Sequence, residues 1–118
     1  MTLNHIHIGT KDISSSIKFY INLFGFSKKF DHGEGVFLEN KMGFLIAIDP
    51  VSELPKLPSW FHLGFCLQSE KEVLDLYDKC IEMKVNIARD MLKEPNEFAS
   101  FYILDPDGYK IEVSWHNE

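Results

Sequence analysis

The chain has 118 residues, enough for one domain with a real core but few for an enclosed active site. Apolar residues make up 45% and charged residues 25%, the balance of an ordinary globular protein. A net charge of −6 without any Lys/Arg cluster excludes the usual nucleic-acid and anionic-membrane partners.

Leu3–Ile8 alternates as a strand, with Ile6 and Ile8 facing one way and His5 and His7 the other. A helix follows, with Asp12 as its N-cap, an apolar stripe of Ile13, Ile17, Tyr20, Ile21 and Phe24, and Gly25 as its end. Strands are predicted over Ser27–Phe30, Gly35–Glu39 and Phe44–Ile48, with Gly33, Asn40 and Gly43 at the turns. Asp49–Ser59 holds three prolines, which cannot donate to a sheet ladder, and is read as a linker.

The order then repeats. Trp60–Leu67 reads as a strand with Phe61, Leu63, Phe65 and Leu67 on one face and His62, Gly64 and Cys66 on the other. Ser69 and Glu72 form a capping box for a helix whose buried side is Val73, Leu76, Tyr77, Cys80 and Ile81. Strands are expected over Val85–Arg89, Ser100–Leu104 and Tyr109–Trp115, with a mobile loop at Lys93–Phe98 and a tight turn at Asp105–Gly108.

His5 precedes Tyr20, and His62 precedes Tyr77, by the same fifteen residues, and Gly43–Ile48 aligns with Gly108–Val113. The two histidines are repeat equivalents, and Ala47 is the equivalent of Glu112. The expected fold class is therefore α+β, with two βαβββ modules in one chain. Mixed sheets enclose a half-barrel cavity, and the helices lie outside. Module one is placed at about residues 1–49, the linker at about 50–59 and module two at about 60–118 of a single domain.

Two histidines and a carboxylate suit a divalent transition metal and leave coordination positions open. His5, His62 and Glu112 each lie opposite an apolar strand face, although a lone histidine is ordinarily a surface residue or a satisfied core residue. The amino terminus lacks the basic and apolar regions of a secretory signal, and no apolar run approaches the ~20 residues of a membrane span. Cys66 and Cys80 match no zinc spacing and are expected as buried free thiols, in keeping with a reducing cytoplasm.

Three stretches carry a resemblance: Leu3-Asn4-His5-Ile6-His7-Ile8, Ser16–Tyr20 through Leu23-Phe24-Gly25-Phe26, and Leu104-Asp105-Pro106-Asp107-Gly108-Tyr109-Lys110-Ile111-Glu112. With these the chain resembles the vicinal oxygen chelate superfamily, which includes glyoxalase I, fosfomycin-resistance enzymes, extradiol dioxygenases and bleomycin-resistance proteins. The resemblance covers nearly the whole chain. It implies that His5, His62 and Glu112 hold one divalent metal ion per site, with iron, manganese, zinc and nickel all admissible.

It also implies a lyase, transferase or dioxygenase in which the metal acts as Lewis acid on a small oxygen-rich substrate, by isomerisation, thiol or water addition, or oxygenation. Glyoxalase I carries a fourth protein ligand, a carboxylate that is also a catalytic base, where this chain has Ala47, which argues against that reaction. Tyr102 matches a substrate-contacting tyrosine of the fosfomycin-resistance group; simple packing is the alternative. His7 stands where that group usually has threonine and is a candidate acid–base residue or a bystander. With the base not supplied by Ala47, a glutamate such as Glu34 or Glu39 and a metal-bound hydroxide are further candidates. Many single-domain relatives are homodimers, so the resemblance implies sites shared between chains. The contrasting reading is a metal-free protein that binds a drug or metabolite in the bleomycin-resistance manner.

Overall fold

The computed structural model describes all 118 residues, which form two compact units, Met1–Lys56 and Leu57–Glu118. The first unit contains β1 (His5–Thr10), α1 (Ile13–Phe24), β2 (Ser27–His32), β3 (Gly35–Glu39) and β4 (Leu45–Pro50). The second repeats the order with β5 (Leu63–Cys66), α2 (Glu70–Glu82), β6 (Ile87–Glu94), β7 (Phe98–Leu104) and β8 (Lys110–His116). Each unit is a βαβββ module with one mixed, open sheet, ordered β1-β4-β3-β2 and β5-β8-β7-β6. No helix is long and apolar enough to cross a membrane.

Local chemistry starts and stops the helices. The Asp12 carboxylate accepts from the Ser15 backbone N–H, and Gly25 ends α1 at φ 68°, a conformation that favours glycine. Ser69 accepts from the Glu72 N–H, while the Glu72 carboxylate reaches back to the N–H of Gln68, one residue earlier than in the standard box. The buried side of α1 is Ser16, Phe19, Tyr20 and Leu23, which rotates the expected stripe and leaves Ile21 exposed. Only Val73 and Cys80 of α2 are fully buried, and Ile81 is exposed.

Strand register sorts each sheet into two faces. In the first, Ile8 pairs with Ile48 and Ile48 with Val36, and Ile46 pairs with Leu38; these side chains are buried on one face, in the unit where α1 packs against β4. The opposite face carries the rows His5–Leu45–Glu39 and His7–Ala47–Phe37. In the second unit, α2 packs on β7 and β8, and Phe101, Ile103, Ile111 and Val113 are fully buried. The other face carries the row Gly64–Glu112–Tyr102–Arg89. His7 pairs with Ala47 as Gly64 pairs with Glu112, so the internal repeat holds in the register of the two parallel strand pairs.

Four expectations change. Asp49 and Pro50 belong to β4, paired with Gly9 and Thr10, and so are not linker. Pro50 is tolerated because it ends the strand, and Val51 supplies the N–H that bonds the Thr10 carbonyl. β5 is shorter than Trp60–Leu67, and Trp60 and Phe61 stand exposed before it. Lys93–Phe98 is a hairpin rather than a mobile loop: β6 runs to Glu94, β7 starts at Phe98, and Asn96 turns the chain at φ 65°. Cys80 is buried as expected, but Cys66 is exposed, because it points to the polar face of β5.

Candidate functional site

In the second unit, His62 lies one residue before β5 and Glu112 lies on the adjoining β8. The His62 Nδ1–H donates to the Trp60 carbonyl oxygen at 3.0 Å. A carbonyl can only accept, so the neutral ring keeps its free lone pair on Nε2. That nitrogen stands 3.5 Å from Glu112 Oε1. Two lone-pair donors at this separation suit a common ion, since Zn–N and Zn–O bonds are about 2.0–2.2 Å long. The His62 and Glu112 side chains are 34% and 24% exposed, so an ion there would be reachable from solvent.

Tyr102 sits beside Glu112 in the same row, its ring 5.0 Å from that of His62. The Arg89 guanidinium lies over the Tyr102 ring at 4.5 Å, and the Lys110 ammonium is 5.9 Å from the same ring. Lys110 also donates to the Ser59 carbonyl. Ser100 donates to Glu112 Oε2 at 2.7 Å and accepts from Arg89 at 2.7 Å. The face therefore joins a metal-competent pair to two cations and an aromatic ring.

The first unit has its own cleft, of about 250 Å³, walled by His5, His7, His32 and Asp49 over Phe37 and Ala47. His5 Nδ1–H donates to the Asn4 side-chain oxygen at 2.8 Å, which leaves Nε2 free, as in His62. His7 differs: its Nε2 is engaged by Asp49 Oδ2 at 2.5 Å. His32 lies edge-on to Phe37. Glu39 is tied to Lys29 at 3.0 Å, so it is a compromised candidate base.

The structure thus brings His62, Glu112 and Tyr102 together in one unit, and His5 with His7 in the other. Three His, Cys, Asp or Glu side chains converge as a metal cluster in neither unit. Sequence reasoning missed Asp49, Ser100 and Arg89. Arg89 is the one arginine in a chain with twelve Lys and Arg residues, a signal that could have drawn attention to it. The partners of Asp49 and Ser100 lie on neighbouring strands and leave no local trace.

The family model described as Glyoxalase/Bleomycin resistance protein/Dioxygenase superfamily matches residues 2–113. A metallothiol transferase, FosB, of Lysinibacillus sphaericus is 31% identical over 114 residues, covering 94% of this chain and 79% of that protein. Among solved structures, the fosfomycin resistance protein FosX of Listeria monocytogenes is similar with a TM-score of 0.85 at 22% identity, covering 99% of this chain and 94% of that chain. A second FosX structure, complexed with Mn(II) and sulfate, gives a TM-score of 0.82 at 22% identity, over 98% of this chain and 90% of that chain. At that identity the structural likeness speaks to the fold.

Proposed function

We propose that this chain, which belongs to the Glyoxalase/Bleomycin resistance protein/Dioxygenase superfamily, is a divalent-metal-dependent transferase that joins a thiol to a small oxygen-bearing molecule. One observation carries this reading: His62 Nε2 and Glu112 Oε1 face each other at 3.5 Å with no proton required between them. The naming of a similar protein as a metallothiol transferase supports the reaction class.

His5 is the third ligand, contributed by a second copy of the chain in a homodimer. Two features support it: His5 exposes the same ring nitrogen as His62, and it belongs to the other unit. A divalent ion, when bound, supplies Lewis acidity to a substrate oxygen on which negative charge develops. Tyr102 meets the substrate with its ring face, and Arg89 and Lys110 add positive charge beside it.

With an epoxide as substrate, a sulfur–carbon bond forms, the ring carbon–oxygen bond breaks, and the alkoxide takes up the proton that the thiol released. His7 is assigned to move that proton, with Asp49 holding its ring. Ala47 offers neither a ligand nor a base, which favours transfer over the glyoxalase reaction. A cytoplasmic setting, where thiols are kept reduced, suits this chemistry.

The test is elemental analysis of tag-free protein loaded with Mn²⁺ and desalted, followed by mass spectrometry of mixtures with fosfomycin and glutathione, cysteine or bacillithiol. Stoichiometric metal and a thiol adduct are expected. Protein that retains no metal but protects fosfomycin-sensitive cells would instead be a sequestering protein, and the proposal would fail.

A further inference from the structure

We infer that Ser100 and Arg89 are positioning residues that aim the Glu112 carboxylate at the metal site. The inference rests on the reading of Glu112 as a ligand, and it concerns why that carboxylate points where it does.

The last torsion of a glutamate is broad and has no strong preference of its own. Glu112 is nonetheless held with Oε1 toward His62 and Oε2 toward Ser100. Ser100 is 5% exposed and sits on β7 opposite Ser114, two residues along β8 from Glu112 on the same face. Its hydroxyl has one proton to give. Arginine only donates and a carboxylate only accepts, so the direction is fixed: Arg89 donates to Ser100, and Ser100 donates to Glu112, each at 2.7 Å. The hydroxyl occupies Oε2 and leaves the lone pairs of Oε1 free.

A second observation is independent of these bonds. The β6–β7 register shifts on both sides of Arg89, between Ile87 and Arg89 and again between Arg89 and Leu92. Bulges re-aim side chains. Here they bracket the chain's one arginine, whose guanidinium lies on the Tyr102 ring with an Nη within reach of Ser100. The strand thus departs from regular pairing at the residue that anchors the serine.

The test measures Mn²⁺ affinity by competition with a chromophoric chelator, alongside thermal unfolding of the metal-free protein. Ser100→Ala is expected to weaken Mn²⁺ binding about 10- to 100-fold, the usual effect of removing a group that orients a ligand. Ser100→Thr, which keeps the hydroxyl, is expected to restore binding, and Arg89→Met to give a smaller loss. A merely structural role would move the unfolding temperature of the metal-free protein and leave Mn²⁺ affinity within twofold, which would overturn the inference. Should Ser100→Ala fail to fold, unchanged affinity in Arg89→Met overturns it equally. A parent protein that binds no Mn²⁺ defeats the metal reading itself, an outcome distinct from a parent that binds and variants that bind alike.

Discussion

Gly35 lies against the carboxylate of Asp49, so closely that a β-carbon there would collide with Oδ1 and stand 2.6 Å from the Ile48 carbonyl oxygen. The space that this glycine leaves open is where the partner of His7 sits. Gly35→Ala must therefore displace Asp49, and the nearby backbone oxygen leaves no relief by side-chain rotation alone. Overpacking of this kind costs about 1–3 kcal/mol. Chemical denaturation should show that loss, with turnover in the proposed transfer reaction reduced. A variant of unchanged stability and turnover would mean that the His7–Asp49 contact has no role.

The two cysteines should differ in reactivity. Burial raises the Cys80 thiol to a pKa of about 11, so little thiolate exists at pH 8, whereas Cys66 is exposed. A thiol reagent should modify Cys66 alone in the native protein and both cysteines after denaturation. Rapid native labelling of Cys80 by peptide mapping would show that α2 opens readily.

Tyr77 on α2 donates its hydroxyl to Asp90 on β6. That bond, with a smaller one from the Met91 N–H, holds the Asp90 pKa below its ordinary value, and the same bond, with burial, raises that of Tyr77. A depressed folded carboxylate stabilises above its unfolded pKa of about 3.9 and loses that contribution as pH falls through the folded value. The raised phenol stabilises below its unfolded pKa of about 10 and loses its contribution as pH rises through the folded value. Tyr77→Phe keeps the ring against Phe101 but removes the bond. It should be less stable than the parent at neutral pH, and the gap should narrow below about pH 4 and above about pH 10. A gap independent of pH would point to lost packing instead.

Sharing of the site between chains can be tested by complementation. His5→Ala and Glu112→Ala proteins, each expected to lose metal under the proposed ligand set, are unfolded together and refolded. In a shared-site homodimer the mixed species carries both defects in one site and none in the other, so one of its two sites binds again. Mixed dimers verified by native mass spectrometry that recover no metal would reject the shared site.

What the sequence determined by itself was local or periodic. The Asp12 cap, the Gly25 stop, the Ser69–Glu72 box and the turn at Asp105–Gly108 were all legible, because each is made by groups a few residues apart. Alternation placed Gly64 and Cys66 on the exposed side of β5, and the repeat predicted both the βαβββ order and the equivalence of Ala47 with Glu112. Where a strand ends depends on the strand beside it. Pro50 carries a linker's local chemistry but pairs with Thr10, and Lys93–Phe98 carries a loop's composition but joins β6 to β7 as a hairpin.

Only the tertiary structure decided the partners. Asp49 meets His7 across 42 positions of sequence, and Ser100 meets Glu112 across 12. No periodicity encodes such distances, because register between strands converts them into neighbours. The types of residue on each face could be read from the chain, but the atom that each one turns toward was set by the sheet.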